Sequence, residues 1–209
     1  MSTTDTQKIT GVIGVVPPEL IFASGRQPLN LYSAVQKLPE PALFVGEATA
    51  EYGLPSTMCF WAKCFIKIVR DLGLEEVIIS APDPCPYYRS VGDYLQREGV
   101  AVYYFKHPLN HDKTELRSEV ERFLIEWGGV DWSQVEYWQT RLSGMRSAVK
   151  TLDARTDTGN ISGFENYAWL QECVDFWGMG SAEGDIQTLL SNVNDHAVED
   201  KVRLIINVT

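Results

Sequence analysis

The sequence has few of the residues that mark the commoner kinds of functional site. It holds only three histidines among 209 residues, and two of them, His107 and His111, flank a proline without forming a convincing metal-ligand set. It contains no Walker A sequence, no Rossmann glycine fingerprint and no Gly-x-Ser-x-Gly elbow. The common nucleotide-binding and serine-hydrolase motifs are therefore excluded.

Positive charge is also scarce. Lys and Arg number 18 against 28 Asp and Glu, a net charge of −10, and this disfavours nucleic acid and anionic membranes as partners because both need a basic surface. No apolar run approaches the roughly 18–20 residues of a membrane span. The first eight residues are polar and lack the apolar stretch of a signal peptide. We expect a cytoplasmic protein with neither a nucleic-acid nor a membrane partner.

Apolar segments of strand and helix length alternate through the first half. Continuous apolar strands separated by helices are typical of a parallel sheet covered on both faces. The expected fold class is α/β, with a parallel sheet flanked by helices and followed by a helical region. The expected strands span residues 11–16, 42–45, 76–80 and 100–105, and the expected helices span 19–24, about 56–72 and about 87–98.

The pattern changes after Pro108. Helical periodicity predicts helices over about 114–127, from 131 to about 149, and over about 163–176, and residues 201–209 are expected to form a strand. These patterns together predict an α/β domain over 1–110, a helical region over 111–200 and a terminal strand over 201–209. An apolar terminal strand with nothing to cover it is expected to be poorly packed alone or buried against a partner subunit.

Four cysteines at irregular spacing indicate metal-binding, catalytic or buried thiols rather than a disulfide framework. Cys59 opens a helix after a Gly/Pro loop, and Cys85 follows an apolar strand directly. Both positions belong to the carboxyl edge of a parallel sheet, where ligands bind. Two thiols converging there favour a shared soft ligand such as an iron–sulfur cluster. The alternatives are a structural thiol at Cys59 and a turn cysteine without a role at Cys85.

The other two cysteines read as core residues. Cys64 falls in the apolar stripe of the helix that Cys59 opens, whereas Cys59 faces away from that stripe together with Lys63 and Lys67. Cys173 lies on an amphipathic stretch remote from both loops.

Three motifs occur in an order that resembles a known family. The segment Pro17–Gly25 carries a Pro-Glu-Leu-Ile signature after the first strand, Cys59 and Lys63 form a Cys-x-x-x-Lys helix start, and Arg89 follows Cys85 at a strand exit. This order resembles the 2-hydroxyacyl-CoA dehydratase family, which includes subunits of 2-hydroxyglutaryl-CoA dehydratase and benzoyl-CoA reductase type. The likeness is diffuse but extends over nearly the whole chain.

The resemblance implies one half of a two-domain α/β fold and a [4Fe-4S] cluster held by three cysteines. Cys59 and Cys85 match two of the three, and the third belongs to a second domain that would begin where this sequence ends. The third ligand would then come from Cys64, Cys173, a partner chain or a substrate atom.

The implied activity is low-potential electron transfer to an acyl-CoA thioester. Glu19, Lys63 and Arg89 are weaker candidates for the surrounding site, and a second dehydratase-like subunit or a second copy of the chain is the implied partner. Two alternatives stay open: a non-catalytic half-length partner or electron-transfer subunit, and a structural α/β domain whose cysteines are incidental.

Overall fold

The computed structural model describes residues 8–81, 87–108, 110 and 112–167. They form four strands joined by helices. In chain order the elements are β1 (Ile9–Ile13), α1 (Pro18–Ala23), β2 (Gln27–Asn30), α2 (Leu31–Gln36), α3 (Pro41–Tyr52), α4 (Phe60–Asp71), β3 (Glu76–Ala81), α5 (Tyr87–Arg97), β4 (Ala101–Lys106), α6 (Lys113–Trp127) and α7 (Trp132–Asp157).

The four strands form one sheet in the order β2-β1-β3-β4, and every pair is parallel. Gly11 in β1 lies opposite Val77 in β3, which in turn lies opposite Val102 in β4. Helices flank the sheet and continue beyond it, which confirms the predicted α/β class. β1 ends at Ile13 instead of Val16, because Gly14 takes a φ of 86° that leaves the strand conformation.

Apolar side chains of the sheet alternate between two hydrophobic clusters. On one face Ile13, Val77 and Ile79 pack with α2, α4 and α5. On the other face Val12, Ile78 and Phe105 pack with α1, α6 and the start of α7. Because both faces are covered, the strands read as continuous apolar runs rather than alternating ones.

The strand expected at 42–45 is wrong, because this apolar run lies inside α3. Pro41 stands at the first helical position, where its fixed φ suits a helix and its missing N–H costs nothing. The helix presents Ala48 to the core, while Phe44 and Val45 are only partly buried and Leu43 is exposed. A short apolar run does not by itself distinguish a strand from a helix.

The sequence pattern did not predict the second strand, β2. It contains Pro28, which cannot donate to a ladder. Gln27 N–H donates to Lys8 O at 2.9 Å, so the nitrogen of Pro28 faces away from β1. A proline is tolerated there because β2 is an edge strand of the sheet that the described residues form.

The chain divides into two compact units, Met1–Gln139 and Thr140–Thr209, with the boundary inside α7. In the described part of the second unit, α7 buries Leu142, Met145 and Leu152 at helical spacing. Ser162 and Glu165 form a capping box that starts a further helical turn at 163–167: Ser162 N–H donates to Glu165 Oε2 at 2.9 Å, and Glu165 N–H donates to Ser162 Oγ at 3.2 Å. The remainder of the expected helix over 163–176, and the expected strand over 201–209, lie outside the described residues.

Among the helices that the structure describes, none is both long and apolar enough to cross a membrane.

Candidate functional site

The order of the strands determines which edge of the sheet suits a ligand. From β1 the chain first moves to β2 on one side, and it later returns to β3 on the other side. This reversal makes the carboxyl ends of β1 and β3 a topological switch point, the place where open α/β sheets bind ligands.

The segments that follow β1 and β4 meet the end of β3 at this edge. Gly14 packs so closely on Ser80 that a Cβ added at Gly14 would lie 2.6 Å from the Cβ of Ser80. The carbonyl of Val15 is 2.6 Å from Nε2 of His107, which follows β4. The Val15 side chain itself is 71% exposed. The carboxyl ends of β1, β3 and β4 therefore form one surface with an exposed apolar side chain on it.

Cys59 stands at the N-cap of α4, as the sequence predicts for a helix start. Its φ and ψ are −52° and 140°, and its side chain makes no capping hydrogen bond. Because α4 leads back into β3, its N-terminus lies on the carboxyl side of the sheet. The thiol is partly buried against the first hydrophobic cluster. The first-turn N–H groups of a helix favour negative charge nearby, so this position suits an anionic ligand.

A buried cation lies one turn further along the same helix. Lys63 is only 4% exposed, and its Nζ donates to the carbonyl of Ser56 at 3.2 Å, within the loop that leads to Cys59. In the described part of the chain no carboxylate lies within 4.0 Å of that ammonium group. A buried ammonium group held on this loop adds positive potential on the carboxyl side of the sheet.

Aromatic side chains cluster where α2, α4 and α5 begin. The ring of Tyr32 lies 5.1 Å from that of Trp61 and 4.9 Å from that of Phe65, and the Phe65 ring lies 6.5 Å from that of Tyr88. Burial raises the pKa of Tyr88, consistent with a poorly hydrated wall. Sequence reasoning missed this aromatic wall; the spacing of Trp61 and Phe65 beside Cys59 was the available signal.

Cys64 is fully buried, which confirms its expected place in the core. Burial, with a smaller contribution from the charge of Cys59, raises the pKa of Cys64 to about 11. The Cys64 thiol is therefore protonated at neutral pH, and its complete burial keeps it from reaching a ligand outside the core. Cys85 and Cys173 lie outside the described residues; the segment that contains Cys85 joins the end of β3 to the start of α5.

The three weaker candidates do not all lie on the same face. Lys63 lies beside the Cys59 loop, and Arg89 is exposed near the start of α5, which packs against α4. Glu19 is buried in the first turn of α1, on the opposite face of the sheet.

A second buried polar cluster lies at the amino edge, away from the switch point. Glu76, at the start of β3, is 2.7 Å from Nε of Arg26 and 3.1 Å from Nζ of Lys8, and it also accepts a hydrogen bond from Thr10. Arg26 in addition stacks over the ring of Trp127 at 4.4 Å. This cluster neutralises a buried carboxylate and connects β1, β2 and β3, so we assign it a structural role.

Across the described residues, no three His, Cys, Asp or Glu side chains gather closely enough to hold a metal ion. No protein-family model matches the chain, and no curated protein matches it. The described donor set thus offers one thiol, Cys59, in surroundings that suit an anionic ligand.

Proposed function

We propose that the chain is the cluster-binding α/β part of an iron–sulfur-dependent protein of the acyl-CoA dehydratase/reductase type. The observation that carries this proposal is the position of Cys59 at the N-cap of α4, on the carboxyl side of an all-parallel sheet. The β3–α5 connection, which contains Cys85, leaves the sheet at the same side.

The surroundings of Cys59 support an anionic, thiolate-held group. The start of α4 offers unpaired N–H groups, and Lys63 keeps a buried ammonium group on the preceding loop. The aromatic wall of Tyr32, Trp61 and Phe65 restricts water, and low hydration together with nearby charge sets the reduction potential of a cluster.

In this proposal Cys59 and Cys85 hold a [4Fe-4S] cluster. When bound, the cluster would supply low-potential electron transfer and an open iron site for a thioester carbonyl. The chain's own residues would exclude water, hold the cluster and place the acyl-CoA at the carboxyl edge. Arg89, exposed near the start of α5, is suited to pair with an anionic part of the ligand.

A second candidate function is that of a non-catalytic or electron-transfer subunit of such a complex. The core position of Cys64, with its raised pKa, favours this reading because it removes one source of the third ligand. A partner subunit, or a second copy of the chain, would then complete the cluster.

The decisive experiment is anaerobic expression followed by iron, sulfide and visible-absorption measurement. Wild-type protein is expected to carry iron and sulfide in equal amounts, and Cys59→Ser and Cys85→Ser are each expected to lose most of both. Cys64→Ala is the matched control on the same helix and should leave the iron content unchanged. Iron at the wild-type level in the Cys59→Ser/Cys85→Ser double variant would refute the proposal.

Activity then separates the two candidates. A catalytic subunit, given a low-potential reductant, should dehydrate a 2-hydroxyacyl-CoA or reduce an acyl-CoA by itself. An electron-transfer subunit should accept the electron but turn over substrate only when a partner subunit is added.

A further inference from the structure

The free edge of β4 has backbone groups that another strand could use. Among the residues that the structure describes, β4 is the last strand of the sheet on its side. Ala101 N–H donates to Glu75 O at 2.9 Å, so the odd-numbered amides of β4 face β3. The carbonyl of Tyr104 and the amide of Lys106 therefore face outward. Such an edge is a template for pairing with a further chain.

Two side chains of α6 occupy these outward groups. Arg122 Nη2 donates to Tyr104 O at 2.7 Å, and Lys106 N–H donates to Glu119 Oε1 at 2.6 Å. Glu119 and Arg122 also bind each other, with Nε to Oε2 at 2.7 Å. They lie three residues apart on one side of the helix, and the Glu119 side chain is only 11% exposed.

This arrangement reproduces the hydrogen bonds of a strand. In a parallel ladder, one residue of a fifth strand would donate its N–H to Tyr104 O and accept from Lys106 N–H. The guanidinium of Arg122 and the carboxylate of Glu119 make the same two bonds. Burial acts to raise the pKa of Glu119, but the hydrogen bonds from Arg122 and Lys106 outweigh it, so the pKa is lowered and the carboxylate stays charged at neutral pH.

We propose that Glu119 and Arg122 form an edge block that keeps β4 the last strand and prevents a second copy of this chain from pairing with it. Without the block, two β4 edges would present complementary backbone groups, and self-pairing would create a symmetric dimer. The inference is independent of any cluster and concerns only the sheet and α6.

The test compares two pairs of substitutions on the same helix. Glu119→Ala/Arg122→Ala removes the block. Arg117→Ala/Glu121→Ala removes an ion pair of 3.3 Å whose side chains are 83% and 59% exposed, and it serves as the control. Sedimentation equilibrium over a wide range of concentration should show self-association of the block variant at least about tenfold tighter than that of wild type or control.

Lys106→Pro added to the block variant removes the outward N–H and should return association to the wild-type level. Association unchanged in the block variant, with wild-type circular dichroism, would overturn the proposal.

Hydrogen exchange of the Lys106 amide gives a second readout that needs no association. In wild type this amide should be protected, and in Glu119→Ala it should exchange about tenfold faster or more. The single variant also covers the case in which the double variant fails to fold. Equal exchange rates of Lys106 in wild type and Glu119→Ala would refute the block.

Discussion

Gly14 ends β1 and lies close against Ser80 at the switch point. Alanine there must take a φ of 86° and place its Cβ 2.6 Å from the Cβ of Ser80. We expect Gly14→Ala to lower the free energy of unfolding by about 2–4 kcal/mol, the sum of a left-handed backbone and local overpacking. Urea denaturation monitored by circular dichroism measures it.

Gly25 is the matched control. It has a similar φ of 77°, but an added Cβ would meet nothing within 4 Å. Gly25→Ala should therefore cost only about 1–2 kcal/mol, from backbone conformation alone. Equal losses for the two variants would show that the contact with Ser80 is readily relieved.

Individual side chains were predictable where helical periodicity determines the face. The stripe Trp61, Cys64, Phe65 predicted that Cys64 is buried, and it is. The burial of Lys63 and Lys67 could not be read in this way. Lys67 is covered by Phe44, Glu47 and Glu51 of α3, a helix that includes the expected strand at 42–45.

At the scale of elements, Lys67 joins α3 to α4. Its ammonium group lies 2.7 Å from Glu51 and 3.1 Å from Asp71, and it stacks on Phe44 at 5.1 Å. We expect Lys67→Met to cost about 1–3 kcal/mol, below the value for a fully buried pair because its carboxylates are 38–52% exposed. Arg117→Met, which breaks an exposed pair on α6, should cost less than about 0.5 kcal/mol.

The contribution of Lys67 to the free energy of unfolding should also depend on pH. The hydrogen bond to Glu51, followed by that to Asp71, raises the pKa of Lys67 in the folded chain despite burial. A raised pKa means that the stabilisation is complete below the unfolded value of about 10.4 and is lost as the pH rises through the folded value. The stability difference between wild type and Lys67→Met should thus be constant near neutral pH and shrink in strong alkali. A difference that stays the same at high pH would show that packing alone accounts for it.

Asp112 starts α6, the helix that blocks β4. Its carboxylate accepts from the N–H groups of Glu115 at 3.0 Å and Thr114 at 2.7 Å, and these bonds lower the pKa of Asp112. We expect stability at neutral pH to fall from wild type to Asp112→Asn to Asp112→Ala, because asparagine keeps an acceptor and alanine keeps none.

A lowered pKa gives the opposite pH dependence to that of Lys67. The advantage of wild type over Asp112→Asn should be complete above the unfolded value of about 3.9 and vanish as the pH falls through the folded value. Urea midpoints at neutral and acidic pH measure the difference. If the urea midpoints of wild type and Asp112→Asn still differ in strong acid, charge is not the cause of the difference.

Three of the four strands were predicted because each is an apolar run buried on both faces. β2 was not predicted because it is short, polar and at the edge, where Pro28 needs no ladder partner. The edge block was not predicted for a related reason. Glu119 and Arg122 look like any i,i+3 surface pair in the sequence, and only the position of β4 shows that they bind backbone groups. Sequence patterns report burial well and long-range hydrogen bonds poorly.

At the scale of the whole molecule, the described members of both hydrophobic clusters all lie between Val12 and Val135. All four strands and the candidate cysteines Cys59 and Cys85 also precede Gln139, where the first compact unit ends. We therefore expect a fragment truncated after Gln139 to fold by itself. Circular dichroism and a cooperative urea transition test this, with a smaller m-value than that of the full chain because less surface is exposed on unfolding.

The same fragment tests where the ligands of a cluster come from. If Cys59 and Cys85, with ligands from outside this chain, are sufficient, a folded fragment prepared anaerobically should keep the iron content of the full chain. If Cys173 supplies the third ligand, the fragment should fold but lose iron, and Cys173→Ser in the full chain should lose it too. A fragment without a cooperative transition would show that residues beyond Gln139 contribute to the core, contrary to the two clusters found between Val12 and Val135.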